Sequence, residues 1–348
     1  MKIIIIFIAD LAHKRSKSIY MPYNIGLIAS YAIERFGDKI EIKLFKYPEK
    51  LHTALDSTSC DIFACSTYIW NNSLAHWACR IAKEKNPNVI TVLGGPNFTQ
   101  EKDDQLTYFS NHKEVDVRVL LEGEISFSNV INLVLKHGVN NKEKIFDKQI
   151  DGCVYMDRNK NCLIEGETSR IQSLDEIPSP YLSGVLDKFF DGKLAPFLET
   201  NRGCPFTCTF CHTGADYFHK LNKFSQERVK AEIEYIAKKS EKLGLTNLHL
   251  ADVNFGMYPQ DQIVAKMLLE TKKKYKWPQT MMTTTGKNSK ERIIKLTEML
   301  GNIFEVAMSM QSMSESVLTN IKRSNIKLDH MVEINKELNK QERTTCTE

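Results

Sequence analysis

The densest chemistry in the sequence lies in one eleven-residue stretch, Arg202-Gly203-Cys204-Pro205-Phe206-Thr207-Cys208-Thr209-Phe210-Cys211-His212. Three thiols this close together, in a chain without a disulfide framework, suit a soft metal. A structural zinc ion is one occupant, and it normally takes four protein ligands, so His212 or His219 would have to complete the set. An iron–sulfur cluster is the other, since its irons are held by cysteine thiolates. Three thiolates on a four-iron cluster leave one iron without a protein ligand. An open coordination position is what a catalytic metal needs, and it favours the cluster over zinc.

The other cysteines do not share this pattern. Cys60, Cys65, Cys79, Cys153 and Cys162 are scattered singly, and the first three fall on strand or helix patterns, as small buried hydrophobes do. The chain has 348 residues, 42% hydrophobic and 26% charged, which is ordinary for a globular protein with room for two domains. A net charge of +4 gives no argument for nucleic acid or a membrane surface. The run Ile3–Ile8 ends at Asp10 without a cleavage site, and no stretch approaches the roughly twenty apolar residues of a membrane helix. A cytoplasmic location is expected.

The elements that must carry the cysteine loop form two series. In the first, strands are expected at Ile3–Ile8, Ile40–Phe45, Ile62–Cys65, Val89–Leu93 and Val117–Leu121. Helices with a 3.6-residue apolar period fall between or after them at Asn24–Phe36, Ser73–Lys85 and Phe127–Leu135. This alternation predicts an α/β fold with an N-terminal doubly wound, Rossmann-like parallel sheet, whose ligands bind beyond the carboxyl ends of the strands. Pro178-Ser179-Pro180 marks a connector. A second series follows, with strands at Pro196–Thr200, Asn247–Ala251, Thr280–Thr284 and Phe304–Met308. Its helices are expected near Ser225–Leu243, Gln260–Lys274, Lys290–Leu300 and Asp329–Asn339. Such units predict a partial (β/α) barrel with its chemistry at the strand C-termini, and the cysteine loop directly follows the first strand.

The spacing Cys-x3-Cys-x2-Cys, with Phe210 just before the last cysteine, resembles the signature of the radical S-adenosylmethionine (radical SAM) superfamily. The resemblance implies that Cys204, Cys208 and Cys211 hold a 4Fe-4S cluster whose open iron chelates S-adenosylmethionine. It further implies reductive cleavage of that molecule to a 5′-deoxyadenosyl radical, which abstracts hydrogen from a substrate. Ala251-Asp252-Val253-Asn254-Phe255-Gly256 is similar to the family's loop near the S-adenosylmethionine amino group, although the usual Gly-Gly-Glu is absent; Asp252 and Asn254 become candidates. Ser309-Met310-Gln311-Ser312 resembles the polar stretch that meets the cofactor's ribose and carboxylate, which adds Ser309 and Gln311, and Phe210 joins the same set.

The first half resembles the cobalamin-binding domain that precedes the radical domain in one large subfamily. The match rests on Ser66, Thr67 and Tyr68 after the third strand, Gly94, Gly95 and Pro96 after the fourth, and Glu122 and Gly123 after the fifth. Glycines there would allow close backbone approach to a bulky cofactor tail. His13 is wrongly spaced for a cobalt ligand, and the subfamily commonly lacks that histidine. The implied division is a cobalamin-binding-like domain over 1–140, a connector over 141–193 and a partial radical SAM barrel over 194–348. The chain reaches Glu348 where a fifth barrel strand should begin, so a fifth and sixth strand are expected to be missing. A fragment, or an open edge covered by a partner, would explain that.

The implied activity is a cobalamin-dependent methyltransferase acting on an unactivated carbon or phosphorus centre of a small, natural-product-like substrate. A flavodoxin or ferredoxin would supply electrons, with no nucleic acid and no membrane involved. Two other readings remain: a non-methylating cyclisation or rearrangement on the same architecture, and a non-catalytic cobalamin- or zinc-binding remnant.

Overall fold

Burial on both faces of a sheet selects continuous apolar strands, and three strands of the first unit have that character. The computed structural model describes residues 2–13, 20–286, 289–304, 307–308, 310–325, 328–340 and 346–347. Its first unit comprises Met1–Ser18, Pro22–Ile171 and Glu176–Val185. Here β1 (Ile4–Ala9), β3 (Ile62–Ser66) and β4 (Ile90–Gly94) are almost wholly buried, whereas β2 (Ile40–Phe45) at the sheet edge is half-exposed. Between them run α1 (Tyr23–Phe36), α2 (Pro48–Ser57), α3 (Asn72–Lys85) and α4 (Lys102–Asn111). β5 (Val117–Val119), α5 (Gly123–His137) and the short α6 (Lys142–Ile145) follow.

The sheet order is β2-β1-β3-β4-β5, all parallel, then the antiparallel pair β6 (Cys153–Asp157) and β7 (Cys162–Glu165). One face packs Phe7, Phe63 and Leu93 against Leu51 of α2, Cys79 of α3 and Phe109 of α4. Helices α1 and α5 pack on each other, with α1 also against β1 and β2. In this order the connections reverse direction between β1 and β3, and a crevice opens at the carboxyl ends of those two strands.

Three expectations need correction in this unit. Residues 153–165, assigned to a connector from sequence, extend the sheet as a hairpin, because short strands of mixed polarity give little periodic signal. Helices α2 and α4 were not expected either. α2 starts with a proline at its first turn, and α4 buries only Gln105 and Phe109, too few for a visible apolar stripe.

The second unit comprises Ile19–Met21, Gln172–Asp175 and Leu186–Glu348. It opens with β8 (Phe197–Leu198) and the small antiparallel pair β9 (Asn201–Arg202) and β10 (Asn222–Lys223). Then come α7 (Gln226–Leu243), β11 (Asn247–Leu250), α8 (Asp261–Tyr275), β12 (Thr280–Met282) and α9 (Lys290–Leu300). β13 (Ala307–Met308), α10 (Glu315–Asn320), α11 (Leu328–Lys340) and β14 (Cys346–Thr347) complete the chain. Ser225 caps α7, accepting from the Arg228 amide at 3.3 Å, and Gly244 ends that helix in the left-handed conformation.

β8, β11 and β12 pair in parallel in chain order, and a parallel bridge from Met281 to Phe304 leads towards β13. This consecutive parallel series is the partial barrel expected from sequence. One detail is overturned: Cys346–Thr347 pairs in parallel with Ala307–Met308, so the chain does contain the start of a fifth strand. Two residues at the end of a polar segment carry no strand signature that sequence could reveal.

Candidate functional site

The cysteine loop follows β8 and is fixed mainly by its own backbone. The Cys204 amide donates to the Phe218 carbonyl at 2.8 Å, Cys211 to the Cys208 carbonyl at 3.1 Å, and Gly214 to the Cys211 carbonyl at 2.9 Å. Gly203 has φ +125°, and a Cβ there would stand 2.4 Å from the Lys220 carbonyl oxygen, so only glycine fits before the first cysteine. Cys204 and Cys208 are buried, Cys211 is exposed, and none of the three is in a disulfide.

The loop fits a cluster better than a single ion. One zinc about 2.3 Å from each sulfur would hold the sulfurs roughly 3.8 Å apart. Here the three sulfurs do not all lie within 4.8 Å of one another. Neither histidine offers itself as a fourth ligand: His219 is directed to the Gly214 carbonyl at 3.2 Å through Nε2 and to Asp216 at 3.6 Å through Nδ1. His212 lies against the Phe218 ring at 5.2 Å. A cluster with one iron free of protein ligands matches the three thiols without recruiting either.

Asp252 and Asn254 both approach this loop, in different ways. Asp252 is fully buried and accepts from the Thr200 amide at 2.8 Å, from the Thr200 hydroxyl, and from Asn201 Nδ2 at 2.8 Å. It therefore pins the chain leaving β8 just ahead of the cysteines. Burial pushes its carboxyl up to about 7. Asn254, also buried, donates from Nδ2 to Cys204 Sγ at 3.3 Å. Phe210 is exposed, with the Arg323 guanidinium 5.9 Å from its ring centre. Gln311 is exposed with φ +58°, and Ser309 lies outside the described residues.

Sequence reasoning missed two neighbours of this loop. Asp261 closes the turn after Asn254, accepting from the Gly256 and Tyr258 amides at 2.7 and 2.9 Å, and burial raises it to about 6. The Tyr258 hydroxyl is buried without a hydrogen-bond partner among the described residues. Burial pushes it up to about 12. Neither belongs to a local motif, so only the fold brings them here.

In the first unit, the candidate loops meet at the carboxyl ends of β1, β3 and β4. Ser66 donates to Asp10 at 2.6 Å, and Asp10 is paired with buried Lys46 at 2.9 Å. Thr67 donates to the Gly94 carbonyl at 2.7 Å and accepts from the fully buried Arg118 at 3.1 Å. Gly95 has φ +99°, and a Cβ there would lie 2.7 Å from the Thr67 carbonyl oxygen. The close approach this glycine permits is thus to the neighbouring loop's backbone, rather than only to a ligand as sequence suggested. Asn71 completes the turn, with Nδ2 reaching the Leu11 and Ser66 carbonyls at 3.1 and 3.2 Å.

What remains outward is apolar and flat. The Tyr68 and Trp70 rings stack at 4.7 Å, 4° from parallel, beside Ile69 at 83% exposure. Gly95 and Pro96 are also exposed, and Gly94 partly so. Glu122 is turned to Arg170 at 3.1 Å and to the Ile171 amide at 3.2 Å, and Gly123 packs against Ile28. His13 is exposed.

Residues 198–347 match the model of the Radical SAM superfamily. The cobalamin-dependent radical SAM methyltransferase TokK of Streptomyces tokunonensis is 29% identical over 328 residues, covering 89% of this chain and 46% of TokK. The 2-(S-pantetheinyl)-carbapenam-3-carboxylate methyltransferase of Streptantibioticus cattleyicolor is 28% identical over the same shares. The chain therefore spans just under half the length of these relatives. In fold it resembles the cobalamin-dependent S-adenosylmethionine radical enzyme OxsB, with TM-score 0.71 and 15% identity over 99% of this chain and 49% of that one.

Proposed function

From a chain whose residues 198–347 match the Radical SAM superfamily model, we propose a cobalamin-dependent methyltransferase that acts on an unactivated centre of a small, natural-product-like molecule. The observation that carries this reading is the reach of the relatives. The two methyltransferases align over 89% of the chain, through both units and not the cysteine loop alone. When bound, a 4Fe-4S cluster supplies the electron that cleaves S-adenosylmethionine to a radical, and cobalamin supplies a transferable methyl group.

The protein's own part is positioning and shielding. Cys204, Cys208 and Cys211 would hold the cluster, with two of the thiols buried from water. Asn254 lends a hydrogen bond to the Cys204 sulfur. Exposed Phe210 and Gln311, with Ser309 as a candidate from sequence, would face S-adenosylmethionine. Asp252 acts one step back by fixing Thr200 and Asn201.

In the first unit, the crevice between β1 and β3 and the flat Tyr68–Trp70 stack beside exposed Gly95 and Pro96 suit a broad macrocycle such as cobalamin. The loop hydroxyls of Ser66 and Thr67 would shape that platform from beneath. Glu122 and Gly123 would set its far rim. A flavodoxin- or ferredoxin-type protein is the natural electron donor.

The test is anaerobic production of the chain with cobalamin supplied, comparing the native sequence with Cys208→Ala. Iron and sulfide near four each per chain, lost in Cys208→Ala while cobalamin absorbance persists, is the expected result. Transfer of labelled methyl from S-adenosylmethionine to a substrate would then establish the methyltransferase. Zinc in place of iron in folded protein would end the radical reading. Deoxyadenosine formed without methyl transfer would replace methylation with another radical reaction.

A further inference from the structure

Away from both candidate cofactor sites, three ligand atoms of the first unit converge. Nδ1 of His76, on α3, lies 3.0 Å from Oε1 of Glu114, and Nδ1 of His112 lies 3.2 Å from the same oxygen. The three residues' ligand atoms all fall within 4.8 Å of one another. Around an ion at about 2.1 Å, neighbouring donors stand roughly 3.0 Å apart in an octahedron and roughly 3.4 Å apart in a tetrahedron. The imidazoles lie with ring centres 4.1 Å apart and planes 31° from parallel.

The geometry points to a divalent transition-metal site formed by His76, His112 and Glu114, taking a borderline ion of the zinc, nickel or cobalt type. Two imidazoles and one carboxylate are the donor set such ions prefer. The supports behind the ligands are also present. The Tyr108 hydroxyl is 3.3 Å from Nε2 of His76 and fixes the ring; with Nε2–H donating to that hydroxyl, the Nδ1 lone pair would face the ion. The His112 amide bonds the Tyr108 carbonyl at 2.9 Å, and the Glu114 carbonyl accepts from the Thr91 hydroxyl at 2.6 Å, so both backbones are set. His112 is the outward member and gives an ion its way in.

One group competes. The Arg80 guanidinium donates to the same Glu114 oxygen at 3.1 Å, and its side chain is half-exposed. An incoming ion would displace it into water. Such an ion would tie α3 to the segment between α4 and β5. That segment follows the helix whose Phe109 packs in the core.

The experiment is equilibrium dialysis of the cluster-loaded full chain against zinc, with a moderate chelator present to clear weak thiol sites, and metal counted per chain by mass spectrometry. Loading the cluster first keeps Cys204, Cys208 and Cys211 from binding the zinc. One zinc per chain beyond the cluster is expected. His112→Ala, at a half-exposed position, should weaken it at least tenfold. Arg80→Gln should tighten it several-fold, which a plain hydrogen-bonded triad would not do. Should His112→Ala lose secondary structure by circular dichroism, Glu114→Gln takes its place in the same assay. Zinc bound equally by native and His112→Ala protein, or no zinc in either native or Arg80→Gln protein, overturns the proposal.

Discussion

The two units prepare their candidate sites in opposite ways. In the first, nearly every polar side chain at the strand ends is already engaged: Ser66 with Asp10, Asp10 with Lys46, Thr67 with Gly94 and Arg118, Glu122 with Arg170. What faces outward there is an aromatic stack and two turn residues. In the second, the candidate ligands are thiols outside any disulfide, and the buried polar groups hold the strands and turns around them. A large flat cofactor needs a stiff, shaped surface. A cluster needs ligands free to bond it, on a loop that cannot collapse.

The contrast can be broken most sharply at Lys46. Its ammonium and the Asp10 carboxylate are both buried, so Lys46→Ala strands a charge and should cost about 3–5 kcal/mol of stability. Chemical denaturation would show it, and a loss below 1 kcal/mol would mean the first unit's loops are not set by this network. Gly95→Ala comes next. A side chain at φ +99° and 2.7 Å from the Thr67 oxygen should cost about 1–3 kcal/mol. It should also release cobalamin while leaving the cluster iron intact. If both cofactors are lost together, the two sites are not independent.

A third effect belongs to the second unit and has a definite pH sign. The carboxyls of Asp252 and Asp261 are raised from an ordinary aspartate value of 3.8 to about 7 and about 6. Each folded-state value lies above the unfolded one. The stability they contribute is therefore fully present below about pH 4 and is lost as pH rises through 6 and 7. Asp252→Asn, which keeps the shape and removes the titration, should flatten the fall in melting temperature between pH 5 and 8. An unchanged slope would show that Asp252 is not the group responsible. The smallest effect is expected for Asn254→Leu. Without the amide on the Cys204 sulfur, the cluster's reduced form loses a stabilising hydrogen bond. Its potential, read by spectroelectrochemistry, should move more negative at unchanged iron content; an unmoved potential would show that the bond is absent from the loaded protein.

The cysteine loop was legible because its chemistry is local: three thiols within eight residues state their purpose whatever the fold around them. The parallel strands and their long helices were legible for a related reason, since burial on both faces or one leaves a period in the sequence. The helical spacing of apolar Ile25, Ile28 and Ala29 was enough to place α1. The hairpin Cys153–Glu165, the polar helix α4 and the two-residue strand at Cys346 left no such mark, because their partners are distant in sequence and supply what they lack.

The site residues divide along the same line. Composition and spacing by themselves determined the candidate cysteine loop, the two β/α series and the strand ends where ligands should sit. Only the tertiary structure decided what each polar residue there does. It directed the Ser66 and Thr67 hydroxyls inward, made Asp252 a brace for Thr200 and Asn201, and aimed Asn254 at a sulfur fifty residues away in sequence. It also gathered His76, His112 and Glu114 from two separate segments. The physical reason is the range of the forces involved. Thiol clustering and apolar periodicity are properties of neighbours along the chain. A buried hydrogen bond or a ligand set is a property of neighbours in space, and those exist only once the core has closed.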